Sequence, residues 1–247
     1  MTRLARDRDT HLTREEIAVE ALRCFDQSAV APSIRHLATV LRVTPSAIYH
    51  HFPSRAAIIQ AAVDLVWDEA GARFLQLVPD PFTADPTEVL VTAGIVTRQV
   101  FGSHYQVAPF ITATPAASRP LAAILALMAD VLGRMGLDDE QAAASFHMYA
   151  SFTIGAVLFA ATRRITDEQL SLGGSAGLPS ERRPTDPIRP VERRPDAGAG
   201  TAAFRQALGE MIDLSVVDPG RDEKLFADGL HQLVSGFGKD AIAPSPS

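Results

Sequence analysis

The chain has 247 residues, 47% of them hydrophobic, 6% aromatic and 21% charged, with a formal net charge of −6. That apolar content buries a core in one large or two small domains and excludes a wholly disordered chain. With 16 Gly, 17 Pro and a single cysteine, Cys24, a collagen-like chain and a disulfide scaffold are excluded, and no Cys/His spacing offers a zinc site.

From the N-terminus, Met1-Thr-Arg-Leu-Ala-Arg-Asp-Arg contains no apolar h-region, so no signal peptide is read. Together with the lone thiol, which predicts a reducing compartment, this gives a cytoplasmic expectation. Thr13-Arg-Glu-Glu16 is a capping box, and Ile17, Ala18, Ala21, Leu22 and Phe25 follow at helical spacing, predicting a helix that stops near Gln27 or Ser28. Ser33 caps a second helix with Ile34, Leu37, Ala38 and Leu41 on one face. Thr44 caps a third, with Pro45 at the first helical position and Pro53 ending it after Phe52. Ser54 then caps a longer helix through about Gln76. Prolines 79, 81 and 86 break the chain, and further helices are predicted at roughly 87–103, 109–113, 118–135 and 138–164, with Gly136 closing one and Asp138 and Asp139 opening the next. Residues 173–200 are rich in Pro, Gly and Arg, and read as a flexible linker. Helices at about 201–214 and 221–236 and a frayed tail complete the chain. Strand and hairpin signals are nearly absent, so the fold class is all-α.

The first 60 residues carry eight Arg, six acids and no Lys, a local balance of +2 in an acidic chain. Arginine suits bidentate contacts with phosphate and guanine. Within this stretch, 33–52 (SIRHLATVLRVTPSAIYHHF) forms two short helices with a tight connection at Leu41-Arg42-Val43. In a helix-turn-helix the first helix braces on the DNA backbone, and the second presents small polar or methyl-bearing residues to the major groove. Thr44, Pro45, Ser46 and Ala47 meet that need, while Ile34, Leu37, Leu41, Val43 and Ile48 supply the internal core. Tyr49 and His51, a turn further on, are placed for phosphates, as is Arg55 in the first turn of the next helix. Adjacent His50 and His51 point about 100° apart on a helix and make no metal site.

The stretch 13–59 resembles the DNA-binding domain of TetR-type transcriptional repressors. Ile34-Arg35-His36-Leu37-Ala38 and Ile48-Tyr49-His50-His51-Phe52 match that family's pattern; Arg42 replaces the turn glycine, Ile34 a threonine and Arg55 a lysine. Beyond it, LDDEQAAASFHMYASFTIGAVLF and DEKLFADGLHQLVSGF resemble the helices that pair between subunits in members related to the tetracycline repressor. The resemblance implies a helix-turn-helix domain over 1–57 and a ligand-binding and dimerisation domain over 58–247. It implies a homodimer on a palindromic operator, with DNA contacts by Ser33, Arg35, Thr44, Pro45, Ser46, Tyr49, His51 and Arg55. Of these, Arg35 and residues 44–46 are the candidates for base readout.

The same resemblance implies an effector cavity among the later helices, for which Trp67, Phe101, His104, Tyr105, Phe110, Met128, His147 and Ser151 are the candidates. No charged cluster lies in 88–162, so the expected effector is mostly hydrophobic. Gly71 stands where the tetracycline repressor has a ligand histidine, which argues against tetracycline. Residues 141–162 hold 22 uncharged positions, enough to span a bilayer, but Gln141, Ser145, His147, Ser151 and Thr153 favour a bundle helix. No P-loop, GxSxG, HExxH or dinucleotide fingerprint is present, so the expectation is a regulator with no cofactor or metal, and not an enzyme. A transcriptional activator of the same fold and a ligand-transforming helical enzyme are the alternatives.

Overall fold

The computed structural model describes residues 12–28, 31–113, 118–172 and 219–237. The helices are α1 (Arg14–Gln27), α2 (Ile34–Leu41), α3 (Pro45–His51), α4 (Arg55–Leu77), α5 (Pro86–Ser103), α6 (Arg119–Arg134), α7 (Asp139–Leu172) and α8 (Pro219–Gly236), with a 3-10 turn at Ala108–Ala113 before α6. Among the described residues there is no strand, and the all-α expectation holds. The linker read at 173–200, the helix at 201–214 and the terminal tail lie outside the described residues.

Local chemistry sets the helix starts. Thr13 and Glu16 close the capping box in both directions, at 2.8 and 3.1 Å. Ser33 accepts from the His36 amide, Thr44 from Ala47, Ser54 from Ala57 and Asp85 from Glu88. Each such cap stabilises its helix by about 1 kcal/mol. Asp138 and Gln141 satisfy each other's backbone N–H groups ahead of α7.

Two helices end in the same way. After α6, Gly136 takes φ +83° while its N–H bonds the Gly133 carbonyl and that of Leu137 bonds Leu132. After α2, Arg42 takes φ +57° and ψ +41°, with Arg42 N–H to Thr39 and Val43 N–H to Ala38. Both are Schellman turns, which need a left-handed residue. At the second it is an arginine, the position where the sequence pattern expects glycine.

Helices α1–α3 enclose Ile17, Ala21, Phe25, Leu37, Ala38, Ile48 and Phe52, all buried, and Ile58 of α4 joins them. Burial of each large side chain contributes about 1.5–3 kcal/mol against leaving it in water. The rest of the core lies where α5 packs on α4, α6, α7 and α8. Gly94 permits one close approach there, since a Cβ would meet the Leu230 side chain at 2.5 Å.

The structure extends one predicted element. Helix α7 runs to Leu172, eight residues past the predicted end at 164. Among its described side chains the last buried one is Ala161, so the buried stripe fades there, but no Gly or Pro stops the backbone before Gly173. Arg164 donates to the Gly102 carbonyl and Glu168 accepts from Tyr105, tying the extension to α5 and the turn after it. Helix α7 is long and apolar enough to cross a membrane, with a mean hydropathy of 1.4 over its best window. In the fold it packs on α5, α6, α8 and the 3-10 turn.

Arg42→Gly removes the left-handed strain of an L side chain, worth roughly 1–2 kcal/mol, against a smaller entropic cost. The expected result is a gain of about 1 kcal/mol by urea denaturation at unchanged m-value; a loss of stability would show that the Arg42 side chain makes a compensating contact.

Candidate functional site

Two regions hold the candidate functional residues. In the first, α3 turns Ala47 and Ile48 into the core and leaves Thr44, Pro45, Ser46, Tyr49 and His50 exposed, Tyr49 at 54%. Ser33, Arg35 and His36 at the start of α2 and Arg42 in the turn are exposed as well. The result is an exposed surface with two cations, hydroxyls and an aromatic phenol, backed by a buried core. Arg14 fixes its far end by donating to the His51 carbonyl, with its guanidinium 4.1 Å from the Phe52 ring centroid.

The structure brings Ser33, Arg35, Thr44, Pro45, Ser46 and Tyr49 onto this surface and leaves His51 half-buried beside it. Arg55 has a further task. Its Nε donates to the Pro32 carbonyl at 2.8 Å and one terminal nitrogen to Ala31 at 2.6 Å, bracing the approach to α2. Such a bond joins residues more than 20 apart and leaves no mark on the local pattern.

The second region is a cavity of about 200 Å³. Trp67, Ala70, Gly71 and Phe74 of α4 form one wall, Ala93 and Thr97 of α5 another, and Ile111 and Thr112 of the 3-10 turn a third. Leu121, Ile124, Leu127 and Met128 come from α6, and Phe146, Tyr149, Ala150, Thr153 and Ile154 from α7. No lining side chain is charged, and the volume is below the roughly 300–1,000 Å³ usual for drug-sized ligands.

The polar lining groups are few. The Tyr149 hydroxyl donates to the Leu90 carbonyl at 2.9 Å, and burial pushes its pKa up, opposed by the neighbouring Thr153 hydroxyl. Thr97 donates to the Ala93 carbonyl. Thr153 Oγ1 and Trp67 Nε1 are buried and make no well-formed hydrogen bond. Leaving such groups unpaired costs about 1–3 kcal/mol each.

Of the eight predicted cavity residues, Trp67 and Met128 line it. Phe101 lies behind Trp67, edge-on at 4.8 Å between ring centroids, and is fully buried. Phe110 packs on Phe25 of α1 at 5.4 Å. His104 lies between Asp26 and Glu69. Tyr105 is held by Glu168, with burial first and then that carboxylate raising its pKa to about 12. His147 and Ser151 are exposed on the opposite side of α7. The sequence reading missed Tyr149 and Thr153, which have the same four-residue spacing. A shift of two residues turns a helix by about 200°, and a helix apolar on every side gives no signal to set that phase.

A larger, open cleft of about 540 Å³ lies where Arg98, Arg163 and Arg164 meet Asp167, Asp222 and Glu223. Its charges are largely engaged within the fold: Arg98 pairs with Asp222 and packs over Phe226, and Gln99 donates to Glu223.

No family model matches the chain, and no curated protein matches it. Solved structures do. The Streptomyces coelicolor TetR family protein ActR, in complex with actinorhodin, aligns with TM-score 0.63 and 21% identity over 92% of this chain and 98% of that one. TetR from Acinetobacter baumannii AYE aligns with TM-score 0.61 and 18% identity over 92% and 96%. Mycobacterium smegmatis BioQ does so with TM-score 0.58 and 20% identity over 90% and 99%. The fold of the described residues is that of the TetR-type regulators, an N-terminal helix-turn-helix domain on a C-terminal helical domain.

The polar groups of the cavity are separable by substitution. Tyr149→Phe removes the second donor on the Leu90 carbonyl, which α5 itself still engages, and is expected to cost about 0.5–1.5 kcal/mol, whereas Thr153→Val removes a hydroxyl with no well-formed hydrogen bond and leaves stability equal or higher. Denaturant unfolding of the pair measures both, and a cost for Thr153→Val as large as for Tyr149→Phe would show that its hydroxyl is already satisfied.

Proposed function

We propose that this chain is a ligand-responsive transcriptional regulator, a homodimer that holds a palindromic operator and leaves it when a small, mostly hydrophobic effector enters the α4–α7 cavity. The observation that carries the reading is the combination of a rigid, exposed recognition surface and an uncharged cavity joined by one continuous helix, α4. Ligand complexes of proteins with this fold, such as ActR with actinorhodin, support it.

On the operator, Arg35 and residues 44–46 read base edges, because Thr44, Pro45 and Ser46 are small enough for α3 to approach the groove floor. Ser33, Tyr49 and His51 contact phosphates and set the register. Arg55 keeps N–H groups beyond the two engaged by Ala31 and Pro32, and these serve the remaining phosphate contact. The domain boundary falls near 57–58, inside the first turn of α4, so the helix belongs to both halves.

The dimer seam is the outer face of α7 with α8. Met148, Phe152 and Phe159 are exposed along one stripe of α7, Phe159 at 55%, and Leu225 is exposed on α8. Phe152 stacks on Phe226 at 5.4 Å, which links the two helices into one apolar face. A second copy of this face covers it, and a two-fold axis there gives the two recognition helices the symmetry a palindrome requires.

Effector chemistry follows from the cavity lining. Without a charged partner, an ionised ligand loses its hydration and gains nothing in return. A compact neutral molecule that fills the cavity by apolar contact fits. Binding shifts the operator equilibrium only through its differential affinity for two arrangements of α4.

Selection of sites from random duplex DNA by ligand-stripped protein, followed by anisotropy titration at two salt concentrations, tests the reading. The expected product is a palindrome with half-sites about 10–10.5 base pairs apart and salt-sensitive affinity. Arg35→Ala and Tyr49→Ala are expected to abolish this binding while the dimer stays folded. Enrichment of no sequence, or undiminished binding by both variants, would overturn it.

A further inference from the structure

His104 closes α5 and lies where three elements meet. Its Nδ1 is 2.9 Å from Asp26 Oδ1 on α1, and its Nε2 is 3.1 Å from Glu69 Oε2 on α4. The imidazole is 17% exposed, against 37% for Asp26 and 52% for Glu69. Asp26 belongs to the helix-turn-helix domain, and Glu69 lies between the cavity-wall residues Trp67 and Ala70. Phe25 packs on Phe110 beside this contact, so the domains also meet through apolar surface there.

The geometry itself demands a proton. A neutral imidazole has one N–H and one lone pair; only the imidazolium donates from both nitrogens. Two carboxylates at hydrogen-bonding distance therefore match the charged ring, and a neutral ring would set a lone pair against one of them. We propose that His104 is a proton-operated latch between the recognition domain and the ligand-binding domain: charged, it ties α1 to α4; neutral, it releases one tie.

The surrounding charges leave the latch to these three groups among the described residues. On α1, Arg23 is paired with Glu20. On α7, Arg164 donates to the Gly102 carbonyl and Glu168 accepts from Tyr105. On α4, Arg73 stands one turn beyond Glu69 and lines the open cleft with Arg163, Arg164 and Asp167. Burial lowers the His104 pKa, but hydrogen bonds and charge from Asp26 and then Glu69 outweigh it and leave the pKa above the ordinary 6.5. A raised value means that the latch is fully closed below pH 6.5 and is lost as pH rises through the raised value. Its carboxylates are partly in solvent, so salt weakens it as well.

The consequence for operator control rests on the proposed function, but the latch does not. Its test therefore uses the full chain with neither DNA nor effector. Hydrogen exchange of α1 amides 22–27, corrected for intrinsic rates, is followed from pH 5.5 to 9, together with long-range nitrogen–proton NMR of the His104 ring. Protection is expected to fall at least about threefold as pH rises through the His104 pKa, with both ring nitrogens protonated at pH 6. In His104→Gln, protection is expected to be flat with pH at the level the wild type reaches at high pH. Asp26→Asn supplies the same test should His104→Gln fail to fold, and is expected to lower the ring pKa towards 6.5. A ring pKa at or below 6.5, protection independent of pH in the wild type, or an equal pH slope in the folded variants would overturn the latch. Failure of operator selection would leave this result untouched, so the two claims fail separately.

Discussion

The rest of the structure depends on α4 being one unbroken helix of 23 residues. Ile58 at its start completes the core beneath α2 and α3, and Trp67, Ala70, Gly71 and Phe74 further along form a cavity wall. From Arg55 to Phe74 the rise is about 28 Å at 1.5 Å per residue. No proline or unusual dihedral interrupts it, so a displacement at the wall has no hinge in which to dissipate. The exposed α2–α3 surface and the cavity are therefore joined by one helix, and in the proposed regulator a coupling of the usual 1–3 kcal/mol needs only that the ligand prefer one setting of that helix.

The two ends of the element differ in how they are built. The recognition end is held by side chain to backbone bonds: Arg14 to the His51 carbonyl, Arg55 to Ala31 and Pro32, and the caps at Ser33 and Thr44. These fix the exposed residues without burying charge. The cavity end is held by apolar packing, with unpaired polar groups at Trp67 and Thr153. In the proposed regulator, a surface that meets a fixed DNA geometry gains from rigidity, whereas an apolar cavity adapts by repacking.

Much of this was legible in the sequence because capping and turn chemistry are local. Thr13 with Glu16, Ser33, Thr44 with Pro45, and Gly136 each announce a helix end within four residues, and the structure places the ends there. The surface of α2 and α3 was legible for the same reason, since Leu37, Ala38, Ala47 and Ile48 define the inner faces. The cavity was less so. Along α7 almost every position is apolar or small, so His147 and Ser151 looked as suitable as Tyr149 and Thr153, and only packing sets which side turns inward. Contacts between distant positions, such as His104 with Asp26 and Glu69, leave no periodic trace at all. Helix α7 also outran its apolar stripe, because propensity and two tertiary ties carry it on to Leu172.

In the proposed complex α3 enters the major groove twice, once per subunit, on one face of the DNA. Methylation interference at guanine N7 on a selected duplex measures this most directly. Two clusters of interfering guanines are expected, about 10–10.5 base pairs apart and related by the dyad of the site. A single cluster, or interference confined to adenine N3 in the minor groove, would contradict it.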